Sequence, residues 1–213
     1  GSGNVAIYAL EKALELGAKV IAMSDSNGYI IDENGINLEV IKEIKEVKKG
    51  RIKEYLDYVN DAKYVESNGV NPSIWSVKCD IAMPCATQNE LDLNDAKMLV
   101  ANGVIGVYEG ANMPTTLEAY NYLVDNDVIY GPGKASNAGG VSVSGLEMTQ
   151  NSLRLSWSKE EVDQKLKDIM INIFHNVYNT NIKYNIKSND LLKGANIAGF
   201  VKIADAMIAQ GVI

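Results

Sequence analysis

The chain has 213 residues, of which 46% are hydrophobic and 22% charged, and this composition is that of a globular protein rather than a disordered chain or a coiled coil. Lys and Arg number 20 against 27 Asp and Glu, and the net charge of −7 disfavours binding to nucleic acid or to an anionic membrane surface. One His and two Cys are too few to complete a tetrahedral Cys/His zinc site.

A helix is the first element that the sequence predicts. Small and apolar residues recur at helical spacing over residues 4–16, and Gly17 stands at the C-cap position. Residues 18–23 form an apolar run that predicts a buried parallel strand, and the polar residues 24–28 predict its exit turn.

Two short helices are predicted next. Asn37 is the expected N-cap of a helix over residues 37–47, and a second helix is expected over residues 52–59. The apolar residues expected to face inward from the first of these helices are Leu38, Ile41, Ile44 and Val47.

Strands and helices alternate in the rest of the chain. Strands are predicted over residues 77–83, 104–108 and 127–130. The helices between them have predicted N-caps at Asn94 and at Thr115 or Thr116, and all residues from about 138 onward are predicted helical. This alternation predicts an α/β fold, a Rossmann-like doubly wound parallel sheet followed by C-terminal helices.

The first six residues match the dinucleotide-binding pattern G-x-G-x-x-A. Gly1 would form the tight turn, Gly3 would let the backbone approach a pyrophosphate, and Ala6 would let the helix pack closely on the sheet. The free N–H groups at the helix N-terminus favour phosphate, and Asp25 follows at about the distance expected of the ribose-binding acid. The pattern normally follows a strand, so the first strand of the sheet is expected to be missing from this chain.

Polar segments follow four of the predicted strands, at residues 24–26, 84–89, 109–112 and 134–137. Ligands bind outside the carboxyl ends of strands in such sheets, and small polar side chains suit a sugar, an amide or a carboxylate. Any one segment is equally well an ordinary loop. Four of them at the same edge favour a binding site.

Four long segments carry a family resemblance: CDIAMPCATQNELDL, VYEGANMPTT, GKASNAGGVSVSGLEMTQN and GANIAGFVKIADAMIAQGVI. They resemble the cofactor-binding half of the small hexameric NADP-type glutamate dehydrogenases of the Glu/Leu/Phe/Val dehydrogenase family. The resemblance implies reversible oxidative deamination of L-glutamate to 2-oxoglutarate and ammonia with NADP(H), NAD being the alternative, by hydride transfer to the nicotinamide C4. It also implies a homohexamer, and a cytoplasmic location unless a targeting segment precedes Gly1.

The family's catalytic lysine and aspartate lie in an N-terminal substrate domain that this chain lacks. The resemblance therefore implies no catalytic residue in this chain, no metal, and no activity of the chain by itself; Lys134 is interpreted as structural or positioning. Residues 1–145 are expected to form the dinucleotide-binding domain. Residues 146–213 are expected to form a helical segment that packs on it and returns to the substrate domain in the intact enzyme.

The resemblance also assigns site residues. The cofactor-binding residues it implies are Gly1, Ser2, Gly3, Asn4, Val5, Ser24, Asp25, Ser26, Lys45, Ala86, Thr87, Gln88, Asn112 and Asn137. Within this set, Ser24 and Ser26 favour NADP because hydroxyl groups can donate to a 2′-phosphate, and Lys45 would supply a cation, with Arg51 or Lys48 as alternatives. The substrate-binding residues it implies are Asn137, Val141 and Ser144.

Three alternatives stay open. The chain could belong to another amino-acid dehydrogenase of the same superfamily, to a non-catalytic nucleotide-binding fragment, or to an S-adenosylmethionine-dependent methyltransferase. His175 is interpreted as a partly buried structural residue, and Cys79 and Cys85 as reduced, packed thiols.

Overall fold

The structure is a computed structural model that describes residues 1–70 and 73–211. Within these residues six short strands form two three-stranded sheets. The antiparallel sheet contains β1 (Ala22–Asp25), β2 (Gly28–Ile31) and β3 (Lys63–Glu66), in that order. The parallel sheet contains β4 (Ile81–Ala82), β5 (Gly106–Tyr108) and β6 (Ile129–Gly131), also in that order.

Eight α-helices lie in the same part of the chain. They are α1 (Asn4–Glu15), α2 (Leu38–Lys42), α3 (Leu93–Ala101), α4 (Leu117–Asp125), α5 (Gly133–Ser136), α6 (Gly139–Leu153), α7 (Lys159–Lys183) and α8 (Leu191–Gln210). The predicted α/β alternation and the all-helical C-terminal segment are confirmed.

The expectation of parallel pairing throughout is correct only for β4, β5 and β6. Residues 24–28 do not lead out of the sheet: β1 turns back at Ser26 and Asn27, and Gly28 begins β2 opposite Asp25. A Cβ at Gly28 would lie 2.3 Å from the carbonyl oxygen of Val65 on β3, so this close pairing requires glycine. The sequence prediction overlooked this hairpin, which explains the antiparallel sheet.

The helix predicted over residues 37–47 has the predicted cap but a different second half. The Asn37 side chain accepts hydrogen bonds from the Glu39 and Val40 amides at 3.0 and 3.2 Å. After α2 the backbone continues as a π-helical turn over Glu43–Val47. A π turn holds more residues than an α turn and so rotates the positions that follow it. Ile44 stays buried, whereas Val47 is 69% exposed rather than inward.

Other predicted boundaries shift by a few residues. Residues 52–59 contain a 3₁₀ helix at Ile52–Asp57, and the strand predicted over residues 77–83 is reduced to β4. The N-cap of α3 is Asp92, not Asn94, because the Asp92 carboxylate accepts from the Asn94 and Asp95 amides. The N-cap of α4 is Thr116, which is one of the two residues predicted for this position.

Two hydrophobic cores support the two sheets. One lies under the antiparallel sheet and receives α1 through Ile7 and Leu10, each 1% exposed. The other is centred on the parallel sheet, with α3 and α4 packed against it around Val107 and Leu123. Helix α1 thus begins where the two sheets approach each other, which places its N-terminus beside the carboxyl ends of several strands.

The C-terminal helices carry little buried surface of their own. No residue of α6 is buried, and α8 exposes Phe200 and Ile203. His175 on α7 is exposed beside the Phe174 ring, so its interpretation as partly buried is wrong. None of the helices in residues 1–70 and 73–211 combines the length and the apolar composition that a membrane span requires.

Candidate nucleotide-binding site

The N-terminus of α1 is open to an anion. Gly3 is the N-cap in an extended conformation, no side chain caps the helix, and its first turn holds no acidic residue. The first amides of a helix have no partner inside it and carry partial positive charge. A Cβ at Gly3 would meet no atom within 4 Å in the described structure, so the position of a side chain on the N-cap residue is open space.

Three loops meet at this helix N-terminus. A Cβ at Gly1 would lie 2.9 Å from the Cys85 carbonyl oxygen, and one at Gly110 would lie 2.5 Å from the Cys85 sulfur and 3.1 Å from Val5 Cγ1. The Gly1 nitrogen also donates to Ser24 Oγ at 2.9 Å. The glycine turn, the end of β1, and the loops after β4 and β5 are therefore neighbours, as the strand-end argument predicted.

The thiol of Cys85 packs inside this junction. It is 7% exposed, and burial raises its pKa, so the sulfur stays protonated near neutral pH. Both cysteines are free. The prediction that they are reduced, packed thiols is confirmed.

The end of β1 places a hydroxyl beside a guanidinium. Arg51 Nη1 donates to Ser26 Oγ at 3.0 Å, and the Arg51 side chain is 59% exposed. The Asp25 carboxylate behind them is 6% exposed and accepts from the Asn27 amide at 2.8 Å and the Ile52 amide at 3.1 Å. Because its two oxygens are engaged in the hairpin and the 3₁₀ helix, Asp25 faces the protein and Ser26 and Arg51 face solvent.

Lys45, the cation proposed from the resemblance, is engaged elsewhere. Its ammonium donates to the Gly50 carbonyl oxygen at 2.9 Å. This contact supports the loop that carries Arg51, whereas Arg51 itself touches Ser26. Of the cations considered from the sequence, Arg51 is the one that the structure brings to the serines.

The remaining cofactor candidates lie on the loops after β4 and β5. The Ala86 amide donates to Glu90 Oε1 at 2.7 Å, and the side chains of Thr87, Gln88 and Asn112 are exposed. Asn137 connects two loops, because its Nδ2 donates to the carbonyl oxygens of Gly110 at 3.3 Å and Ala111 at 3.2 Å.

The substrate candidates form one exposed face. Val141 is 72% exposed and Ser144 is exposed one turn further along α6. Lys134, in the short helix before α6, donates to Asn196 Oδ1 on α8 at 2.6 Å, which supports its structural interpretation. No group of three or more His, Cys, Asp or Glu side chains in the described part of the chain is arranged to hold a metal ion.

A profile of the Glutamate/Leucine/Phenylalanine/Valine dehydrogenase family matches residues 1–211. The chain belongs to this family. The resemblance predicted from the sequence is thereby confirmed.

Its relatives within the family include glutamate dehydrogenases of several organisms. The glutamate dehydrogenase of Bacteroides thetaiotaomicron is 54% identical over 219 residues, and the NADP-specific glutamate dehydrogenase of Escherichia coli is 51% identical over 213 residues. The crystal structure of Plasmodium falciparum glutamate dehydrogenase superimposes with a TM-score of 0.92 at 51% identity, which confirms the Rossmann-like α/β class.

The chain spans about half the length of these relatives. Each alignment covers all of the chain, but only 47% of the two bacterial proteins and 45% of the Plasmodium chain. The activity, substrates and assembly of such a dehydrogenase are therefore properties of a polypeptide about twice as long.

The structure draws attention to one residue of this chain that the sequence analysis did not assign to the site. Glu109, directly after β5, is 5% exposed and accepts hydrogen bonds from the Thr115 amide, the Gly133 amide and the hydroxyl of Tyr130 on β6. The only signal in the sequence is an acidic residue at a strand end. Its partners lie up to 24 positions away, and spacing along the chain does not reveal them.

Proposed function

We propose that this chain is the cofactor-binding half of an NADP-type glutamate dehydrogenase that interconverts L-glutamate with 2-oxoglutarate and ammonia. The observation that carries the proposal is the uncapped N-terminus of α1 with open space at Gly3, together with the Ser26–Arg51 pair at the end of β1, the strand whose Ser24 accepts from the Gly1 nitrogen. Relatives named NADP-specific glutamate dehydrogenases, about half identical over the whole chain, support it.

The residues present fit a dinucleotide phosphate. The first amides of α1 would receive the pyrophosphate, and Ser26 and Arg51 would receive the 2′-phosphate, since a guanidinium suits that group. Asp25 is turned into the protein and is poorly placed to accept from a free 2′-hydroxyl, which favours NADP over NAD. When bound, the nicotinamide supplies the hydride chemistry.

The chain's own residues would orient the reacting groups. Ala86, Thr87, Gln88 and Asn112 would line the nicotinamide ribose and carboxamide, with Asn137 between the nicotinamide and the substrate. Ser144 would donate to the distal carboxylate of glutamate, and Val141 would contact its methylene groups. These roles are supported by the convergence of the loops and by the common face of α6.

The larger assembly follows from the same proposal. Residues 1–145 would form the nucleotide-binding domain, and residues 146–213 a helical segment that returns to the substrate domain. The exposed apolar side chains of α8 support a covered surface there. We further propose a homohexamer acting in the cytoplasm, and the two free thiols are consistent with a reducing compartment.

The direct test is an assay of the full-length gene product. Oxidation of NADPH would be followed with ammonium and 2-oxoglutarate. The same assay with the oxo acids of leucine and valine in place of 2-oxoglutarate tests the alternative substrates. Preference for 2-oxoglutarate supports the proposal. Preference for a branched-chain oxo acid would indicate another dehydrogenase of the family, and absence of turnover a non-catalytic protein.

The Arg51→Ala variant is expected to lose NADPH affinity selectively. A charged hydrogen bond is worth roughly 1.5–3 kcal/mol, so the Kd for NADPH should rise by about 10- to 100-fold, while that for NADH stays within about twofold. Fluorescence titration with both coenzymes measures the ratio.

Two further variants control this experiment. Lys53→Ala removes a cation from the same 3₁₀ helix, where its ammonium lies over the Tyr64 ring, and should leave the ratio unchanged. Lys45→Ala should have a smaller effect than Arg51→Ala, because Lys45 is held by Gly50. A larger loss in Lys45→Ala, or equal losses for both coenzymes in Arg51→Ala, would contradict the assignment of Arg51.

Ser144→Ala is expected to reduce glutamate use without blocking hydride transfer. The distal carboxylate would lose one donor, and kcat/KM for glutamate should fall by about 10- to 100-fold. Norvaline, which lacks that carboxylate, should be affected much less. Equal losses for glutamate and norvaline would show that Ser144 has only a structural role; steady-state kinetics on the full-length gene product measures both.

A further inference from the structure

The carboxylate of Glu109 holds two loops together. The first is residues 109–115, which we call the Glu109 loop. The second is residues 131–137, which contain the short helix α5 and which we call the Gly133 loop. Glu109 Oε2 accepts from the Gly133 amide at 2.6 Å, and its Oε1 accepts from the Thr115 amide at 3.3 Å and from the Tyr130 hydroxyl. All three partners donate, and the two carboxylate oxygens accept from them.

No basic side chain in residues 1–70 or 73–211 forms an ion pair with Glu109, which is 5% exposed. A buried charge of this kind is stabilised only by its hydrogen bonds. If the three hydrogen-bond donors moved apart, the buried carboxylate of Glu109 would lose hydrogen bonds that nothing else replaces. Burial and the hydrogen bond to Glu109 both raise the pKa of Tyr130, so the phenol stays protonated and donates.

Further hydrogen bonds join the same two loops in the same direction, from donors of the Gly133 loop to acceptors of the Glu109 loop. Ser136 Oγ donates to the Glu109 carbonyl oxygen at 2.6 Å, and Asn137 Nδ2 donates to the carbonyl oxygens of Gly110 and Ala111. One backbone bond runs in the opposite direction, because the Glu109 amide donates to the Gly131 carbonyl oxygen at 3.0 Å. The position of the Asn137 side chain depends on the backbone that Glu109 fixes.

The Glu109 loop contains a strained residue. Met113 has a φ of 51°, a left-handed conformation that a non-glycine residue adopts only where its surroundings impose it. The Thr115 amide that binds Glu109 lies two residues further on. The carboxylate is therefore one of the contacts that keep this loop in its conformation.

We infer that Glu109 is a positioning residue that fixes the Glu109 and Gly133 loops relative to each other, and with them Asn112 and Asn137. Under the proposed function, on which this inference rests, those two amides face the nicotinamide. Glu109 then acts on hydride transfer through the two loops and not by contact with the coenzyme.

The test compares Glu109→Gln with Tyr120→Phe in the full-length gene product. In Glu109→Gln an amide NH₂ group replaces one carboxylate oxygen. This group donates instead of accepting, so it cannot form a hydrogen bond with the N–H donor of the loop that it faces. Tyr120→Phe removes a neighbouring buried hydrogen bond, from the Tyr120 hydroxyl to Asp190 at 2.8 Å, without touching either loop. Tyr130→Phe removes one donor to Glu109 and serves as a milder variant should Glu109→Gln fail to fold.

Glu109→Gln is expected to lower kcat by about 10- to 100-fold, the size of effect produced by a misplacement of about 1 Å, while the Kd for NADPH stays within about threefold. The affinity is retained because the phosphate contacts lie at α1 and Arg51. Tyr130→Phe should lower kcat by about threefold to tenfold while the Kd for NADPH is again retained. Tyr120→Phe should keep kcat within about twofold.

Hydrogen exchange gives a readout that does not depend on activity. Amides of residues 109–116 and 131–138 should exchange faster in Glu109→Gln and Tyr130→Phe, and at the wild-type rate in Tyr120→Phe. An unchanged exchange rate in both loops, or a kcat reduced no more than in Tyr120→Phe, overturns the inference. An inactive wild type rejects the proposed function instead, and the exchange rates alone then decide whether Glu109 couples the loops.

Discussion

The 213-residue chain, purified by itself, is expected to bind NADPH but to turn over glutamate at least about 1,000-fold more slowly than the full-length gene product. Under the proposed function, its described residues would supply contacts for a dinucleotide and one face of a substrate site. That face is open: Val141 is 72% exposed, and Ser144 is also exposed. Water would therefore reach the position of the substrate, and the chain presents no opposing wall to orient it.

Among the residues proposed for this face in the described part of the chain, none is a cation that could stabilise the developing charge. Lys134 is the nearest cation along the sequence to Asn137, and its ammonium is held by Asn196 at 2.6 Å. Electrostatic stabilisation and proton transfer each contribute about two or more orders of magnitude to enzymatic rates. Orientation of the coenzyme alone does not replace them.

The measurement uses NADPH absorbance with 2-oxoglutarate and ammonium, for the isolated chain and for the full-length gene product. Fluorescence titration with NADPH on the same preparation shows whether the isolated chain is folded and binds. Turnover by the isolated chain within tenfold of the full-length protein would show that the catalytic groups lie in this chain, against our assignment.

Local sequence signals predicted the helices well. The caps at Asn37 and Thr116 and the termination of α1 near Gly17 depend on contacts within a few residues, and such contacts can be read from the sequence. The π-helical turn after α2 could not be read in the same way. It is one residue out of phase with an α-helix, and it turned Val47 from the expected inward face to solvent.

Pairing between distant strands was harder to predict. The antiparallel sheet depends on the approach of β2 to β3, whose paired residues are 32 positions apart at Ile31 and Lys63 and 38 at Gly28 and Glu66. The two loop residues of the hairpin are Ser26 and Asn27, which are not the Asn-Gly or Asp-Gly pair of the strongest hairpin signal, and the expected α/β alternation favoured an exit turn. The parallel sheet was predicted correctly because its strands are separated by amphipathic helices.

The site shows the same division between local and distant contacts. The glycine turn could be located from six consecutive residues. The choice between Lys45 and Arg51 could not be made from the sequence, since both lie in one basic stretch and only the fold brings Arg51 to Ser26. Glu109 was overlooked because its role depends on donors from Thr115, Tyr130 and Gly133, which lie 6 to 24 positions away along the chain.

Gly3→Val is expected to abolish measurable NADPH binding at micromolar concentrations while leaving the fold intact. Gly3 has φ −84° and ψ −173°, an extended conformation that β-branched residues adopt readily. A Cβ there meets no described atom within 4 Å, so the side chain would not strain the protein. It would instead occupy the space in front of the first amides of α1.

The size of the effect follows from the contacts that a phosphate would lose. Two hydrogen bonds from backbone amides to a charged phosphate, at roughly 1.5–3 kcal/mol each, correspond to a loss in affinity of at least about 100-fold. Gly3→Ala, with a smaller side chain, should give an intermediate loss. NADPH and NADH should be affected alike, because both carry the pyrophosphate, in contrast to the selective loss expected of Arg51→Ala.

Ala18→Val is the matched control for this substitution. Ala18 is exposed just beyond the other end of α1, so the variant adds an apolar branched side chain near the same helix but far from its N-terminus. Thermal unfolding of both variants should match the wild type within a few degrees, and only Gly3→Val should lose the coenzyme in a fluorescence titration. A folded Gly3→Val protein that binds NADPH with wild-type affinity would remove the N-terminus of α1 from the binding site, because no phosphate could then lie against its first amides.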